Sequence, residues 1–437
     1  MDQDSKPGSR PRKAIKVTTT VRERRRQSVI RWSAVGLTAM VTAGAVILGV
    51  RVLAGSGVAT VASQTPQTEL DARAANPAAA AGPVPGSTRF VPVGPELVLD
   101  TRGRGKIAAG ADTEIQLTEL PADSTAVLAE ISVLGSGGPG DVTIDGGAGP
   151  VTVLRVPKAG VQTTANAIVQ IGPDRTLVVN PAGGGDVLVN LVGAFQPAKT
   201  SAEGRIVPMP PSEVVHLVPK RDGKEAVIRL DDIDQLRDAG SVSAVLLQVA
   251  GDVGPHGGLI SAGAAKGAMR QTLFWGATKG SDRTRVGFLA VPVTSKTVRL
   301  RYVAGTEMRA DLVGYVTGAD APVTDEGLVV PVTPAGPSKV RVSAGAKQRV
   351  AVVPPDVPAT RVAAALLSVT ATGDDLGKVN AYTPGTKATG NPTVVAPRAA
   401  TRAAFALVGT ADGAVQVSSE AGAAVSVATR ALIVGAR

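Results

Sequence analysis

From Phe90 onward, short Val-, Ile- and Leu-rich runs alternate with clusters of Gly, Pro, Asn and Asp. Over 90–195 the apolar runs are LVLD, TEIQL, AVLAEISV, DVTID, VTVLRV, NAIVQI, RTLVVN and DVLVNLVGAF, separated by turn material such as GRGKIAAG, GSGGPG, DGGAGP and NPAGGG. Strand-length apolar runs recurring every 8–12 residues or so predict an antiparallel β-sandwich or barrel. The prolines fall in connections or at strand starts, where no ladder donor is lost. Helix is scarce: the best candidate is LDDIDQLRDAG, Leu230 to Gly240, with Ile233 and Leu236 on one face and Gly240 in a capping position.

The same layout occurs three times. Phe90-Val-Pro92-Val-Gly-Pro95, Ile206-Val-Pro208-Met-Pro-Pro211 and Val329-Val-Pro331-Val-Thr-Pro334 are each an apolar pair followed by P-x-x-P. Apolar strands starting at Ala126, Ala244 and Ala364 come next, and the units close on Leu191-Val-Gly193, Leu312-Val-Gly314 and Ile433-Val-Gly435. Gly193 to Gly314 and Gly314 to Gly435 are each 121 residues, too long for a solenoid unit, so each copy is expected to be a domain with its own core. The expected architecture is mainly β, with three related antiparallel β-sandwich or barrel-like domains at 89–197, 204–318 and 327–437.

The N-terminal pattern is different. Trp32 to Val50 is a run of 19 residues without a charge, extended past Arg51 by Val52 and Leu53. About 22 helical residues span roughly 33 Å, enough to cross a lipid hydrocarbon core. Residues 32–53 are therefore expected to be a transmembrane helix whose partner is the lipid bilayer, with Arg31, Trp32 and Arg51 at the interfaces. A cleaved signal fits less well, because the apolar stretch is long and GSGVATVAS offers only a vague cleavage site. Residues 54–88, rich in Ala, Gly, Ser, Thr and Pro, read as an extended linker.

Charge decides the orientation. Residues 1–31 carry ten basic and three acidic side chains, whereas the whole chain is only +10. The positive-inside rule then puts this tail in the cytoplasm and the C-terminal bulk outside the cell membrane. Because the charge sits in one tail and the remainder is nearly neutral, no nucleic-acid partner is expected. Absence of Cys excludes disulfide scaffolds, thiolate metal sites and cysteine nucleophiles.

Catalytic constellations are thin. His216 and His256 are the two imidazoles, 40 residues apart, with no nucleophile-elbow motif beside them. His256, within Gly254-Pro-His-Gly-Gly258, reads as a turn residue. Gly135-Ser-Gly137-Gly-Pro-Gly140 satisfies G-x-G-x-x-G, yet a strand follows where a nucleotide site needs a helix, so a hairpin loop is expected. Asp231, Asp232 and Asp234 lack the Gly and Glu of a calcium loop. No cofactor or metal is expected. Phe274-Trp275 is the adjacent aromatic pair and the first candidate ligand contact; burial of one ring in the second unit's core is the competing reading.

The first unit carries further landmarks: Leu99-Asp100-Thr101-Arg102, Ala165-Asn166 and Asn190-Leu-Val-Gly193-Ala-Phe195. With the FVPVGP opening they resemble a β domain of exported actinobacterial proteins that has an L-D-T-R box and a closing Asp/Asn-x-x-Gly-aromatic strand. The second unit keeps Asp311-Leu-Val-Gly314-Tyr315 but has His216-Leu-Val-Pro in place of the box; the third lacks both box and closing aromatics. The resemblance implies an envelope accessory role without a defined ligand. Physically, Asp100 and Arg102 at i and i+2 share a strand face and form a candidate structural latch, the guanidinium bridging the carboxylate and nearby carbonyls. The competing reading gives Arg102, with Arg104 and Lys106, to an anionic cell-wall polymer.

The functional expectation is a non-enzymatic, single-pass membrane-anchored protein of a bacterial cell envelope, structural or adhesive, with a wall polymer or another envelope protein as partner. The alternatives are an exported hydrolase or hydrolase accessory, and a membrane sensor acting through the basic tail.

Overall fold

The computed structural model describes residues 84–436, apart from 219–222, 238, 266–267, 279, 334–335 and 389. The chain divides into two units, Met1–Ala75 and Asn76–Arg437, and everything described belongs to the second. The tail, the apolar run with Arg31, Trp32 and Arg51, and most of the linker lie outside the described residues. No helix among the described residues is long and apolar enough to cross a membrane.

The first module has eight strands: β1 (Thr88–Asp100), β2 (Thr113–Gln116), β3 (Ala126–Leu134), β4 (Gly140–Asp145), β5 (Val151–Val156), β6 (Thr163–Gln170), β7 (Thr176–Pro181) and β8 (Asp186–Pro197). All ladders between them are antiparallel, and they form two sheets, β1-β8-β3-β6 and β2-β7-β4-β5. Strands 1-8-3-6 facing 2-7-4-5 is the arrangement of a jelly roll. The second module repeats it with β9 (Ile206–Leu217), β10 (Lys224–Arg229), β11 (Val242–Val253), β12 (Gly258–Ala264), β13 (Gln271–Trp275), β14 (Thr284–Pro292), β15 (Thr297–Val303) and β16 (Gly305–Thr317), as sheets β9-β16-β11-β14 and β10-β15-β12-β13.

In the third module two short strands, β17 (Val329–Pro331) and β18 (Ser338–Val342), share the first position, both pairing with β25 (Ala423–Val434). With β19 (Lys347–Ala351), β20 (Val362–Gly373), β21 (Gly377–Tyr382), β22 (Val394–Ala396), β23 (Thr401–Gly409) and β24 (Ala414–Ser419), the sheets are β17-β25-β20-β23 and β19-β24-β21-β22. A bridge from Thr88 to Val329 joins β1 to β17, so the inner sheets of the first and third modules are continuous.

Hydrophobic patterning explains which sheet lies inside. Strand β7 alternates intermediate and buried positions, as expected for a sheet with one face in a core. Strand β3 is buried at eight successive positions because both its faces are covered. Val127, Ala129, Ile131 and Val133 fill the first sandwich, while Ala126 and Leu128 face the other way. There they meet Ala244 and Leu246 of β11 and Ala364 and Leu366 of β20 in a core that all three modules share. Three inner sheets thus pack back to back about a quasi-threefold axis, each facing its own outer sheet across a separate module core.

Three sequence expectations change. Leu230–Gly240 is not an α-helix: two 3₁₀ turns, Leu230–Asp232 and Asp234–Leu236, flank an extended Ile233 (φ −103°, ψ 106°). Leu230 and Leu236 are buried in the module core, so packing overrides a local sequence whose aspartates compete with helical hydrogen bonds. Segment Gly135–Gly140 is not a hairpin loop, because β3 and β4 belong to different sheets and it crosses between them. Third, the equivalent of Gly193 and Gly314 in the last module is Ala431, not Gly435. Leu128 pairs with Gly193, Leu246 with Gly314 and Leu366 with Ala431, each beside a bulge.

That substitution has a steric cause. Pro92, Pro208 and Pro331 pair with Gly193, Gly314 and Ala431, two residues after Phe90, Ile206 and Val329. A Cβ on Gly193 would lie 2.1 Å from the Phe90 ring. The smaller Val329 stands at the corresponding position in the third module, where a Cβ is accommodated.

Candidate functional site

The L-D-T-R corner ends β1. Arg102 donates from Nε to Asp100 Oδ1 (3.0 Å) and from Nη2 to Oδ2 (2.7 Å), and its backbone N–H reaches Oδ1 as well (2.9 Å). The guanidinium holds the Asp100 carboxyl below its ordinary range, chiefly through this hydrogen bond. The pair is on the surface, however, and no carbonyl accepts from Arg102 among the described residues. The buried member of the box is Thr101, whose Oγ1 accepts from Val187 N (2.8 Å) while its own N–H donates to Val187 O (3.1 Å). Thr101 therefore ties β1 to β8, and the ion pair only dresses the corner. Arg104 is exposed, and Lys106 donates to Gly135 O (3.2 Å).

Phe274 and Trp275 sit on β13 and point to opposite sides. Trp275 enters the second module's core, edge-on to Tyr302 with centroids 6.0 Å apart. Phe274 is half-buried, and its N–H donates to Thr164 Oγ1 of the first module (2.9 Å). The aromatic pair thus marks a seam between modules. Along this seam Glu130 Oε1 accepts from Thr272 N (3.1 Å) and Asn190 Nδ2 (3.0 Å), and Ser132 bonds Thr164 (2.7 Å). Glu130 is fully buried, its Oε2 has no hydrogen bond among the described residues, and burial pushes its carboxyl up to about 7.

The seam recurs around the axis. Asn391, ahead of β22, donates its N–H to the buried Asp311 of β16 and its Nδ2 to Gln248 O (3.0 Å) of β11. Burial, ahead of any other influence, holds the Asp311 carboxyl above its ordinary value. The third junction is sparser: β5 packs against β23, and the buried Arg430 donates to Thr152 O (3.4 Å). Each module presents the same region of its outer sheet to the inner sheet of a neighbour, second to first, third to second and first to third.

Strands β6, β14 and β23 pack together at the axis. Where they begin, a partly open cavity of about 190 Å³ is lined by all three modules, including Lys158, Trp275, Asp282, Arg285 and Arg402. Register makes Thr163, Arg285 and Arg402 equivalent, opposite Val133, Gly251 and Ala371. Arg402 clamps Asp282 with both terminal nitrogens, and Arg285 Nη1 reaches Asp282 O (3.2 Å), Asp282 Oδ1 (3.4 Å) and Thr284 O (3.1 Å). Burial first, then the neighbouring Arg402, pushes Arg285 down to about 10. None of the candidate residues at the L-D-T-R corner lines this cavity; Trp275 does. A signal for it is present in the repeat as Thr284-Arg285-Val-Gly-Phe288 and Thr401-Arg402-Ala-Ala-Phe405.

The histidines do not converge. His216 Nε2 lies 2.9 Å from Glu307 Oε1, but Arg309 engages the same oxygen at 2.8 Å, which commits the acid to an ion-pair cluster. His256 is exposed in the turn closed by Gly254 and Gly257.

No family model matches the chain, and no curated protein matches it. Among solved structures it is similar to the one described as "The Triple Jelly Roll Fold and Turret Assembly in an Archaeal Virus", at 10% identity over 79% of this chain and 91% of that one, with a TM-score of 0.17. It is also similar to "Life in the extremes: atomic structure of Sulfolobus Turreted Icosahedral Virus", at 9% identity, the same coverage and a TM-score of 0.16. At these scores the jelly-roll assignment rests on this chain's own strand order.

Proposed function

We propose that the chain is a non-enzymatic, membrane-anchored protein of an actinobacterial cell envelope, whose three jelly rolls form one rigid extracytoplasmic body with a structural or adhesive role. The observation that carries this reading is in the sequence: ten basic residues in the first 31, then 19 residues without a charge, then a nearly neutral β-rich remainder. The shared core supports rigidity. Modules joined only by linkers would move independently, whereas these bury Leu128, Leu246 and Leu366 against one another. An array of this kind holds its outward sheets at fixed spacing, which suits repeated contacts with an extended wall polymer or a neighbouring envelope protein.

Protease shaving of intact cells that express the chain with a tag at each end tests the reading. The C-terminal tag is expected to be removed and the N-terminal tag protected. A C-terminal tag that remains protected, while a known surface protein is cleaved, refutes it.

A further inference from the structure

We propose that the axial cavity is a binding site for a small tetrahedral oxyanion, inorganic phosphate or a phosphate monoester, gripped by the free edge of Arg285.

The argument starts from charge pairing. Arg155, Lys158, Arg285 and Arg402 line the cavity, and Asp282 is the acid among them. Arg155 is engaged by Asp141 at 2.8 Å. Asp282 is shared: Arg402 takes both its oxygens, and Arg285 reaches only one of these, at 3.4 Å. Two guanidinium groups therefore divide one carboxylate, which leaves more positive charge at this part-buried site than Asp282 neutralises. Burial of an uncompensated charge is costly, and a bound anion is the direct remedy.

Geometry then selects the anion. Arg285 directs Nη1 to the protein, while Nε and Nη2 have no partner among the described residues. Those two nitrogens form the side-on fork that binds an oxyanion bidentately. Arg402 uses both terminal nitrogens on Asp282 and leaves Nε without a partner among the described residues. Three such nitrogens on β14 and β23 suit an anion with more than two oxygens better than a planar carboxylate. Lys158, which also lines the cavity, is exposed, and its ammonium group attracts anions toward it. A volume of about 190 Å³ admits phosphate or a small phosphorylated molecule and excludes a polymer chain threaded through it.

The test is titration calorimetry of the full chain with inorganic phosphate and with glycerol 3-phosphate, against acetate and chloride at matched ionic strength. Saturable phosphate binding is expected, with acetate and chloride inert. If glycerol 3-phosphate binds as well or better, the ligand is an ester; if only phosphate binds, it is the free ion. Arg285→Lys and Arg285→Met should each weaken binding by about tenfold to a hundredfold, the worth of a charge-assisted bond, while Arg104→Gln leaves it unchanged. The proposal is overturned if acetate or chloride matches phosphate, if no saturable binding occurs, or if both Arg285 variants show wild-type near-UV dichroism and wild-type affinity. Should neither variant fold, the Trp275 indole N–H resonance in the Trp32→Phe chain decides. A saturable phosphate-dependent shift supports the site, and an unmoved resonance sinks it.

Discussion

Replacing Glu130 by Gln isolates the energetics of the seam between the first two modules. The carboxyl is fully buried and is held at about 7, with burial as the first cause, opposed by the Thr272 N–H and the Asn190 amide. An acid whose folded value lies above its unfolded value keeps its proton longer when folded. Its contribution is intact below about pH 4.5 and is lost as pH rises toward 7, because the unfolded chain releases the proton first. At about 1.4 kcal/mol per pH unit, a folded value of about 7 against an ordinary one near 4.5 corresponds to roughly 3 kcal/mol, most of it falling between pH 5 and pH 8. Gln is the neutral isostere: its Oε1 can accept the same two hydrogen bonds, and its amide nitrogen takes the place of the unpartnered Oε2. Urea unfolding of wild type and Glu130→Gln, followed by near-UV dichroism at pH 5, 6, 7 and 8, should show the variant gaining on wild type by roughly 2–3 kcal/mol across the series. A gap that stays constant with pH, or that closes as pH rises, would mean that Glu130 is ionised in the folded seam and that the reasoning is wrong.

Gly193→Ala should lower stability by about 1–3 kcal/mol through overpacking against the Phe90 ring, and Phe90→Val in the same chain should relieve the clash, reproducing the Val329–Ala431 combination of the third module; thermal melts of the single and double variants check both. Thr101→Val, which strands the buried Val187 N–H, is expected to cost about 1–3 kcal/mol, whereas Arg102→Gln stays within roughly 0.5 kcal/mol because its ion pair is exposed. Asp325 and Arg361 pair at 2.9 Å with both side chains buried, so Asp325→Ala or Arg361→Ala should cost about 3–5 kcal/mol by leaving a buried charge, while a double replacement by apolar residues of similar volume should recover most of it in denaturant titrations.

How far the sequence could be read depends on whether the decisive contact is local. All eight apolar runs of the first module correspond to strands, because a strand announces itself through its own residues: alternation in β7, where one face is covered, and continuous apolarity in β3, where both are. What the sequence hid shares the opposite cause. Gly435 looked like the third closing glycine because I-V-G resembles L-V-G, yet pairing across the strands selects Ala431, and the reason lies in the size of Val329 on a different strand. Asp100 and Arg102 are two residues apart in sequence and do pair, but the residue that ties the corner is Thr101, whose partner Val187 is 86 residues away. The cavity is the extreme case, since its walls come from three modules and its arginines appear in the sequence only as a short T-R-x-x-F echo in two of them. In the first module the corresponding residue is Thr163, so the quasi-threefold axis carries two guanidinium groups where strict repetition would give three or none. Modules that fold alike thus differ in charge at the cavity they share, and the proposed oxyanion site rests on that difference.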